Sequence, residues 1–448
     1  PAPGRGETDC ATSAASPRLI VISSGWYLML RSRWSLLRPL LAVAVVVAGL
    51  VGVTSSAGAD GPDFVVIAGD GTGANTGDGG PASDAQVSYP RGLDFDDDGN
   101  LYIASFSGKT IRRIDADSGV ITTVAGTGSG EVSGMGGPAT AAVIDAPSEV
   151  HYADGTLYIG SDAYIYALDL GTGIIDVVGG GGDTALSDAT DETPATDLDI
   201  SQVLGIVVDG DDLYFTQIYG TRLGHIDLAT GDNVPAAALS LTRGIAIGPD
   251  DTLYVTVGHR ITILDRVAMT TTTIAGSTLG LGGDGGPAVD AHLNSPKSLI
   301  ATADGELYFV DAGNHRVRVI RADGTVETVA GTGTDAATAA DAPAPPLETD
   351  LRGLNSMAID ADGNLFTSEY HGHLLRRLDG GGLAPVVVPY FDDVPESHPF
   401  FESIQWMYES GVSTGGPDPD GSGIVYLPQA AVKRQAMAAF LYRLASES

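Results

Sequence analysis

Ala68-Gly69-Asp70-Gly71-Thr72-Gly73 opens a unit that continues through Gly77-Asp78-Gly79-Gly80-Pro81-Ala82 and Tyr89-Pro90-Arg91-Gly92-Leu93 to Asp98-Gly99-Asn100-Leu101-Tyr102-Ile103-Ala104. The same order returns at Ala275-Gly276, Gly283-Asp284-Gly285-Gly286-Pro287-Ala288, Ser295-Pro296-Lys297-Ser298-Leu299 and Asp304-Gly305-Glu306-Leu307-Tyr308-Phe309-Val310. Weaker copies lie between and after these two. A unit of this size cannot bury its own apolar face, so successive copies must pack on one another.

Each unit reads as four strands. In the first they are Gly92-Leu93-Asp94-Phe95, Leu101-Tyr102-Ile103-Ala104, Thr110-Ile111-Arg112-Arg113-Ile114 and Gly119-Val120-Ile121-Thr122-Thr123-Val124. Short or alternating runs of Val, Ile, Tyr and Thr between Asp-Gly turns are hairpin signals. Asp98-Gly99, Asp154-Gly155, Asp304-Gly305, Asp323-Gly324 and Asp362-Gly363 supply the positive backbone dihedrals that such turns need. First strands start near Arg91, Ser148, Leu204, Arg243, Lys297 and Asn355, at spacings of about 57, 56, 39, 54 and 58 residues. The expected fold is therefore all-β, a six-bladed β-propeller. Phe64-Val65-Val66-Ile67-Ala68 has the character of a fourth strand but precedes the first blade. It is expected to pair with the last blade, around Leu365 to Leu378, and close the ring.

Asn314-His315-Arg316-Val317-Arg318-Val319-Ile320 is close to the Asn-His-Arg signature of the NHL repeat. Thr328-Val329-Ala330-Gly331-Thr332-Gly333 and the Gly-Asp-Gly-Gly-Pro-Ala loops match an exported bacterial version. Residues 60–388 thus resemble the NHL-repeat propellers. The resemblance implies the fold, and its relatives include binding domains as well as lyases and lactonase-like hydrolases.

After Val388 the composition changes. Phe391-Asp392-Asp393-Val394-Pro395, His398-Pro399-Phe400-Phe401 and Ile404-Gln405-Trp406-Met407 lead, past a polar loop, to Val432-Lys433-Arg434-Gln435-Ala436-Met437-Ala438-Ala439-Phe440. Phe400, Ile404 and Met407, then Val432, Ala436, Ala439 and Phe440, fall at helical spacing, which predicts two amphipathic helices. Residues 389–448 resemble one S-layer homology (SLH) module, a family that anchors proteins to cell-wall polymers. The family's Thr-Arg-Ala-Glu signature reads Lys433-Arg434-Gln435-Ala436 here, so the resemblance assigns a wall-polymer contact to Arg434. A solvent-exposed helix charge is the alternative role for Arg434, and Trp406 and Phe391 read as core.

At the other end, Arg31, Arg33 and Arg38 precede an apolar run from Leu40 to Val53, and Ala57-Gly58-Ala59 follows. That order predicts a secretory signal peptide over 29–59, with 1–28 an upstream, non-native segment. The chain has one cysteine, Cys10, and removing the leader would leave no thiol. It would also leave 18 basic residues against 55 acidic ones, a net charge of about −37 where the whole chain carries −34. Such a surface repels nucleic acid and anionic membranes, and no membrane span is expected in the mature chain.

The sequence holds no zinc-binding His-Glu-x-x-His, phosphate loop or cysteine nucleophile, and no catalytic residue is assigned. His371-Gly372-His373 has metal-compatible spacing, yet His373 aligns with His315, where a turn role is expected. His151, His225, His259 and His292 fall at different phases of the repeat. No cofactor is implied. Asp96-Asp97-Asp98-Gly99-Asn100, Asp209-Gly210-Asp211-Asp212 and Asp418-Pro419-Asp420-Gly421 offer oxygens of the kind calcium takes, and hairpin-turn geometry explains them equally.

The most informative positions are the starts of the first strands, which line a propeller's central channel and open on one face. Arg91, Arg243 and Lys297 would lie at one level of the mouth, with Glu149 one step behind Ser148. Arg91 and Arg243 belong to opposite blades. These residues are assigned to binding an anionic group; pairing with neighbouring Asp or Glu is the alternative. The Gly-Asp-Gly-Gly-Pro-Ala connectors are expected to frame that mouth. The reading that follows is a secreted, envelope-associated binding protein with a protein or glycan ligand and a cell-wall polymer as partners, self-associating through its C-terminal module. Alternatives are a metal-dependent propeller lyase or lactone hydrolase, which would need several acids or histidines to converge, and a structural spacer of a surface layer.

Overall fold

Alternating apolar residues make the strands, and the computed structural model arranges them as six antiparallel blades, each of four strands, with a short fifth, Gly137–Pro138, added to blade two. It describes residues 63–218, 220–249, 251–335 and 343–378, with the backbone of Gly415–Pro417 and Ile424–Tyr426. Blade one comprises Pro90–Phe95, Leu101–Ser105, Thr110–Ile114 and Ile121–Ala125. Blade two comprises Pro147–Ala153, Thr156–Ser161, Tyr164–Asp169 and Ile174–Gly180. Blade three comprises Val203–Asp209, Asp212–Gln217, Gly224–Asp227 and Asp232–Asn233. Blade four comprises Thr242–Ile247, Leu253–Val257, Arg260–Asp265 and Thr270–Ala275. Blade five comprises Pro296–Ala301, Leu307–Asp311, Arg316–Ile320 and Val326–Ala330.

Blade six takes three strands from the end of the ring, Leu354–Ile359, Leu365–Glu369 and Leu374–Leu378. Its fourth is Phe64–Ala68, antiparallel to Leu374–Leu378 with Phe64 opposite Leu378. The closure expected from the sequence is present, and it ties the two ends of the propeller together. The turn chemistry is more varied than Asp-Gly alone suggests. Both residues of Asp154-Gly155 have positive φ, whereas at Asp98-Gly99, Asp304-Gly305, Asp323-Gly324 and Asp362-Gly363 only the glycine does. His315 and His373 occupy left-handed backbone conformations, φ 50° and 54°, so the turn role holds for both. The bare Cα of Gly331 packs on the His315 carbonyl, which leaves no room for a side chain.

The core lies between adjacent blades. Leu93, Ile103 and Ile121 of blade one meet Ala358, Phe366 and Leu375 of blade six, and the Phe95 and Phe366 rings pack edge to face, centroids 4.9 Å apart. Each interface is an aliphatic layer of this kind, so blade order is held by packing around the whole ring.

The Gly-Asp-Gly-Gly-Pro-Ala connectors do not frame the mouth. Gly79 donates to the Ile121 carbonyl, Ile121 to Gly80 and Ala82 to Gly119, laying the segment along the outer strand of blade one. Gly285, Val326 and Ala288 repeat the pattern on blade five. The aspartate in the segment is the anchor. Asp78 pairs with the fully buried Arg112 at 2.6 Å, and Asp284 with the fully buried Arg318 at 2.6 Å. The loop glycines let the backbone turn outward, and the arginine on the third strand holds it there. These connectors therefore cover the rim of the propeller.

The expected signal peptide, the two expected C-terminal helices, Arg434, Val386–Val388 and the Asp418 stretch lie outside the described residues. From the last region the structure gives one antiparallel pair, Gly415–Pro417 with Ile424–Tyr426. No helix among the described residues is long and apolar enough to cross a membrane.

Candidate functional site

Every first strand carries a register shift within a few residues of its start, for example between Pro90 and Leu93, Pro147 and Glu149, Thr242 and Ile245, and Lys297 and Leu299. A bulge leaves its residues out of the ladder and redirects their side chains. Arg91, Ser148, Leu204, Arg243, Lys297 and Asn355 lie in or beside these bulges. Neighbouring bulges touch. A Cβ on Gly92 would fall 2.6 Å from both Glu149 Cα and Val150 N, and one on Gly244 would fall 2.8 Å from Ser298 N. Glycine at these positions lets adjacent first strands approach at the mouth.

Hydroxyl groups then fix the spacing. Ser148 Oγ donates to the Val203 carbonyl at 2.5 Å, Thr216 Oγ1 to the Arg243 carbonyl at 2.6 Å, and Ser368 Oγ to the Arg91 carbonyl at 2.6 Å. Met357 N donates to Ser298 Oγ at 3.2 Å. Each bond joins one blade to the next.

The three cations are brought together without carboxylate partners. Among the described residues no ion pair includes Arg91, Arg243 or Lys297, although eleven pairs form elsewhere. Lys297 is held down to about 8, first by burial and then by the positive charges of Arg243 and Arg91, so all three share one electrostatic field. The Arg91 guanidinium lies over the Phe106 ring at 3.6 Å and the Tyr370 ring at 4.8 Å. Burial lowers its pKa, with Tyr370, Asp162 and Glu149 partly offsetting the effect. Its Nε is buried with no hydrogen-bond partner among the described residues.

Glu149 stands beside this ring. Its carboxyl is pushed up to about 8 by desolvation, with Asp94 adding to the rise, while the Val150 N–H and Arg91 oppose it. Some of its surface still meets solvent. The crowded bulge takes away most of its hydration, while the channel leaves that opening. Near neutral pH the mouth thus holds cations and a protonated carboxyl, a donor-rich surface suited to an oxyanion.

Phe106 and Tyr370 were not among the residues expected here. They occupy the position after the second strand, where the other blades have Asp162, Ile218, Gly258 and Ala312. The signal was the repeat phase, and the residue type varies too much to show it. A depression of about 300 Å³ on the same face is lined by Asp162, Ser201, Gln202 and Ile218. A larger cleft of about 580 Å³ lies under the blade-one connector, with none of the three cations in its lining. Its Asp78 is already committed to Arg112, so the mouth has the stronger chemistry.

The remaining candidates have local partners. His373 Nδ1 accepts from Tyr89 N at 3.2 Å, and its pKa is lowered, chiefly by burial. His225 Nε2 meets Asp212 Oδ1 at 2.6 Å, and His259 Nδ1 accepts from Ser295 N. Asp96 accepts from the Asp98 and Asn100 amides and from the Tyr102 hydroxyl, as a hairpin-turn aspartate does. Asp209 pairs with Arg266.

The fold and mouth define a six-bladed propeller with a polar, cation-lined channel opening. The teneurin NHL-domain profile matches residues 66–133, and the S-layer homology profile matches 390–438. Human Teneurin-4 is 28% identical over 256 residues, 55% of this chain and 8% of that protein. The chain therefore spans less than a tenth of that relative. Among solved structures, a Bacteroides thetaiotaomicron protein of unknown function aligns with TM-score 0.54 and 17% identity, covering 70% of this chain and 75% of that one. An auxiliary nutrient binding protein from the same organism aligns with TM-score 0.53 and 16% identity, covering 71% and 76%. The chain is thus similar to the NHL-type propellers in its ring and to S-layer homology domains after it.

Proposed function

We propose that this is an exported, cell-surface binding protein whose propeller takes an anionic group of a glycan or protein ligand at the channel mouth. Its S-layer homology domain contacts the cell wall, with Arg434 on the wall polymer. One observation supports the mouth above others. A chain with 57 acidic and 23 basic residues keeps Arg91, Arg243 and Lys297 together and unpaired among its described residues. Holding like charges in a half-buried ring costs stability, and an anionic ligand would offset that cost. Glu149, protonated, would donate a hydrogen bond to the same group.

The test is titration with acidic oligosaccharides, using the intact protein and the Arg91→Ala/Arg243→Ala double variant. A loss of about tenfold or more in affinity is expected, two charge-assisted contacts being removed. Unchanged affinity would overturn the assignment. Co-sedimentation with isolated cell walls tests the anchoring half separately. Arg434→Ala should release the protein, and a chain that never sediments rejects the wall contact.

A further inference from the structure

In five blades a segment of the chain lies along the outer strand. Gly79–Ala82 covers blade one, Gly136–Ala139 blade two, Thr193–Ala195 blade three, Gly285–Ala288 blade five and Ala344 blade six, each through backbone hydrogen bonds. Among the described residues blade four alone has no such cover. The connector leading into it is the short one, passing from Asn233 to Thr242. Its third strand also lacks the anchor. The position that holds Arg112 and Arg318 in blades one and five, judged by pairing register, is Thr262 in blade four.

The result is an open sheet edge. Thr270, Thr271, Thr272 and Thr273 are all exposed, whereas no residue of Ile121–Ala125 or Phe64–Ala68 is. Exposed strand edges normally carry a lysine, a proline or an inward charge that discourages pairing. This one has none. Residues 267–283 contain no charged side chain at all. Among the described residues eight large apolar side chains are exposed, and five of them, Val267, Met269, Leu279, Leu281 and Val289, fall in or just beyond this stretch.

We propose that two copies of this chain pair edge to edge through Thr270–Ala275, forming a two-fold dimer with a sheet continuous across blade four of each. The charge pattern selects the occupant. An oppositely charged partner would need charges to meet, and this edge offers none. A second copy carrying −34 can approach closely only where both surfaces are neutral. Antiparallel pairing about a two-fold axis sets threonine against threonine, a favourable cross-strand pair. The flanking apolar residues would be buried in the same contact. This inference stands apart from the mouth reading and uses none of its residues.

Sedimentation velocity of the full chain over a hundredfold concentration range tests it. A monomer–dimer equilibrium is expected, tightening as salt is added because the repulsion between two acidic copies is screened. Thr271→Lys/Thr273→Lys should weaken dimerisation by about tenfold or more while leaving the far-UV dichroism unchanged. Val267→Glu/Met269→Glu, outside the central ladder, should act in the same direction if the lysine variant folds poorly. A chain that stays monomeric throughout, a dimer indifferent to both variants, or one that weakens with salt would overturn the proposal.

Discussion

Ser368 donates its hydroxyl to the carbonyl oxygen of Arg91 at 2.6 Å, reaching from blade six into blade one. Thr216 does the same for Arg243 from blade three into blade four, also at 2.6 Å. Two of the three mouth cations thus have their backbones set by a fully buried hydroxyl on the preceding blade. The bond engages the backbone and not the guanidinium, fixing where each side chain starts. Ser368→Ala and Thr216→Val should each cost about 1 kcal/mol, a carbonyl being left without its donor. Each should also weaken acidic-glycan binding severalfold with every cation present. Urea unfolding and calorimetric titration of the same variants measure the two effects.

Gly92 faces the backbone of Glu149 and Val150 from the neighbouring blade. A methyl group there meets main chain, which cannot rotate away as a side-chain tip can. Gly92→Ala should therefore destabilise the propeller by about 2 kcal/mol or more, through separation of two first strands. Glu149 would regain hydration as the strands part. The measurement is thermal unfolding, with Gly79→Ala as the comparison. Gly79 has open space around its Cα, so the cost there comes from its positive φ alone.

The buried arginines give a graded prediction. Arg318 holds Asp284 at the rim and Asp311 in the interior, and both Arg318 and Asp311 are fully buried. Arg112 holds Asp78, but the counterpart of Asp311 in blade one is Ser105, which is uncharged. Arg318→Met should cost about 3–5 kcal/mol because it strands a buried carboxylate. Arg112→Met should cost distinctly less. Denaturant midpoints of the two variants check the order, and equal losses would show that Asp311 is not what sets the penalty.

The ring of blades was legible because the same turn and strand signals recur with little change, and the first-strand starts could be aligned by phase. That alignment placed Arg91, Arg243, Lys297 and Glu149 at one mouth, where the structure has them. The rim staple was not legible. Asp284 and Arg318 are 34 residues apart and belong to different elements, and the loop's glycines suggested a route past the mouth. Nothing in the loop alone shows that its aspartate meets a buried arginine. Phe106 and Tyr370 were hidden for another reason. Cation–aromatic stacking depends on side-chain direction at a bulge, and no spacing rule gives that direction.

Lys297 and Glu149 give the mouth a defined response to pH. Lys297 loses its proton near 8 in the fold and near 10.5 when unfolded, so it withdraws a positive charge as pH passes about 8. Glu149 holds its proton to about 8 against an ordinary 4.5, so it adds a negative charge over the same interval. Both changes oppose an anion, and affinity for an acidic ligand should fall steeply above about pH 8. The stability contributions run in opposite directions. With its pKa raised, Glu149 contributes stability below about 4.5 that is lost as pH rises towards 8. With its pKa lowered, Lys297 contributes stability above about 10.5 that is lost as pH falls towards 8. Glu149→Gln should therefore flatten the acid-to-neutral decline, and Lys297→Met should stabilise the fold at neutral pH by roughly 1 kcal/mol, the shift being discounted for solvent in the channel. Lys297→Met should do so while weakening anion binding, because the charge strains the mouth in the absence of the ligand it serves. Unfolding free energies from pH 4 to 10, set beside affinities over the same range, would show that opposition, and a variant losing both stability and affinity would contradict it.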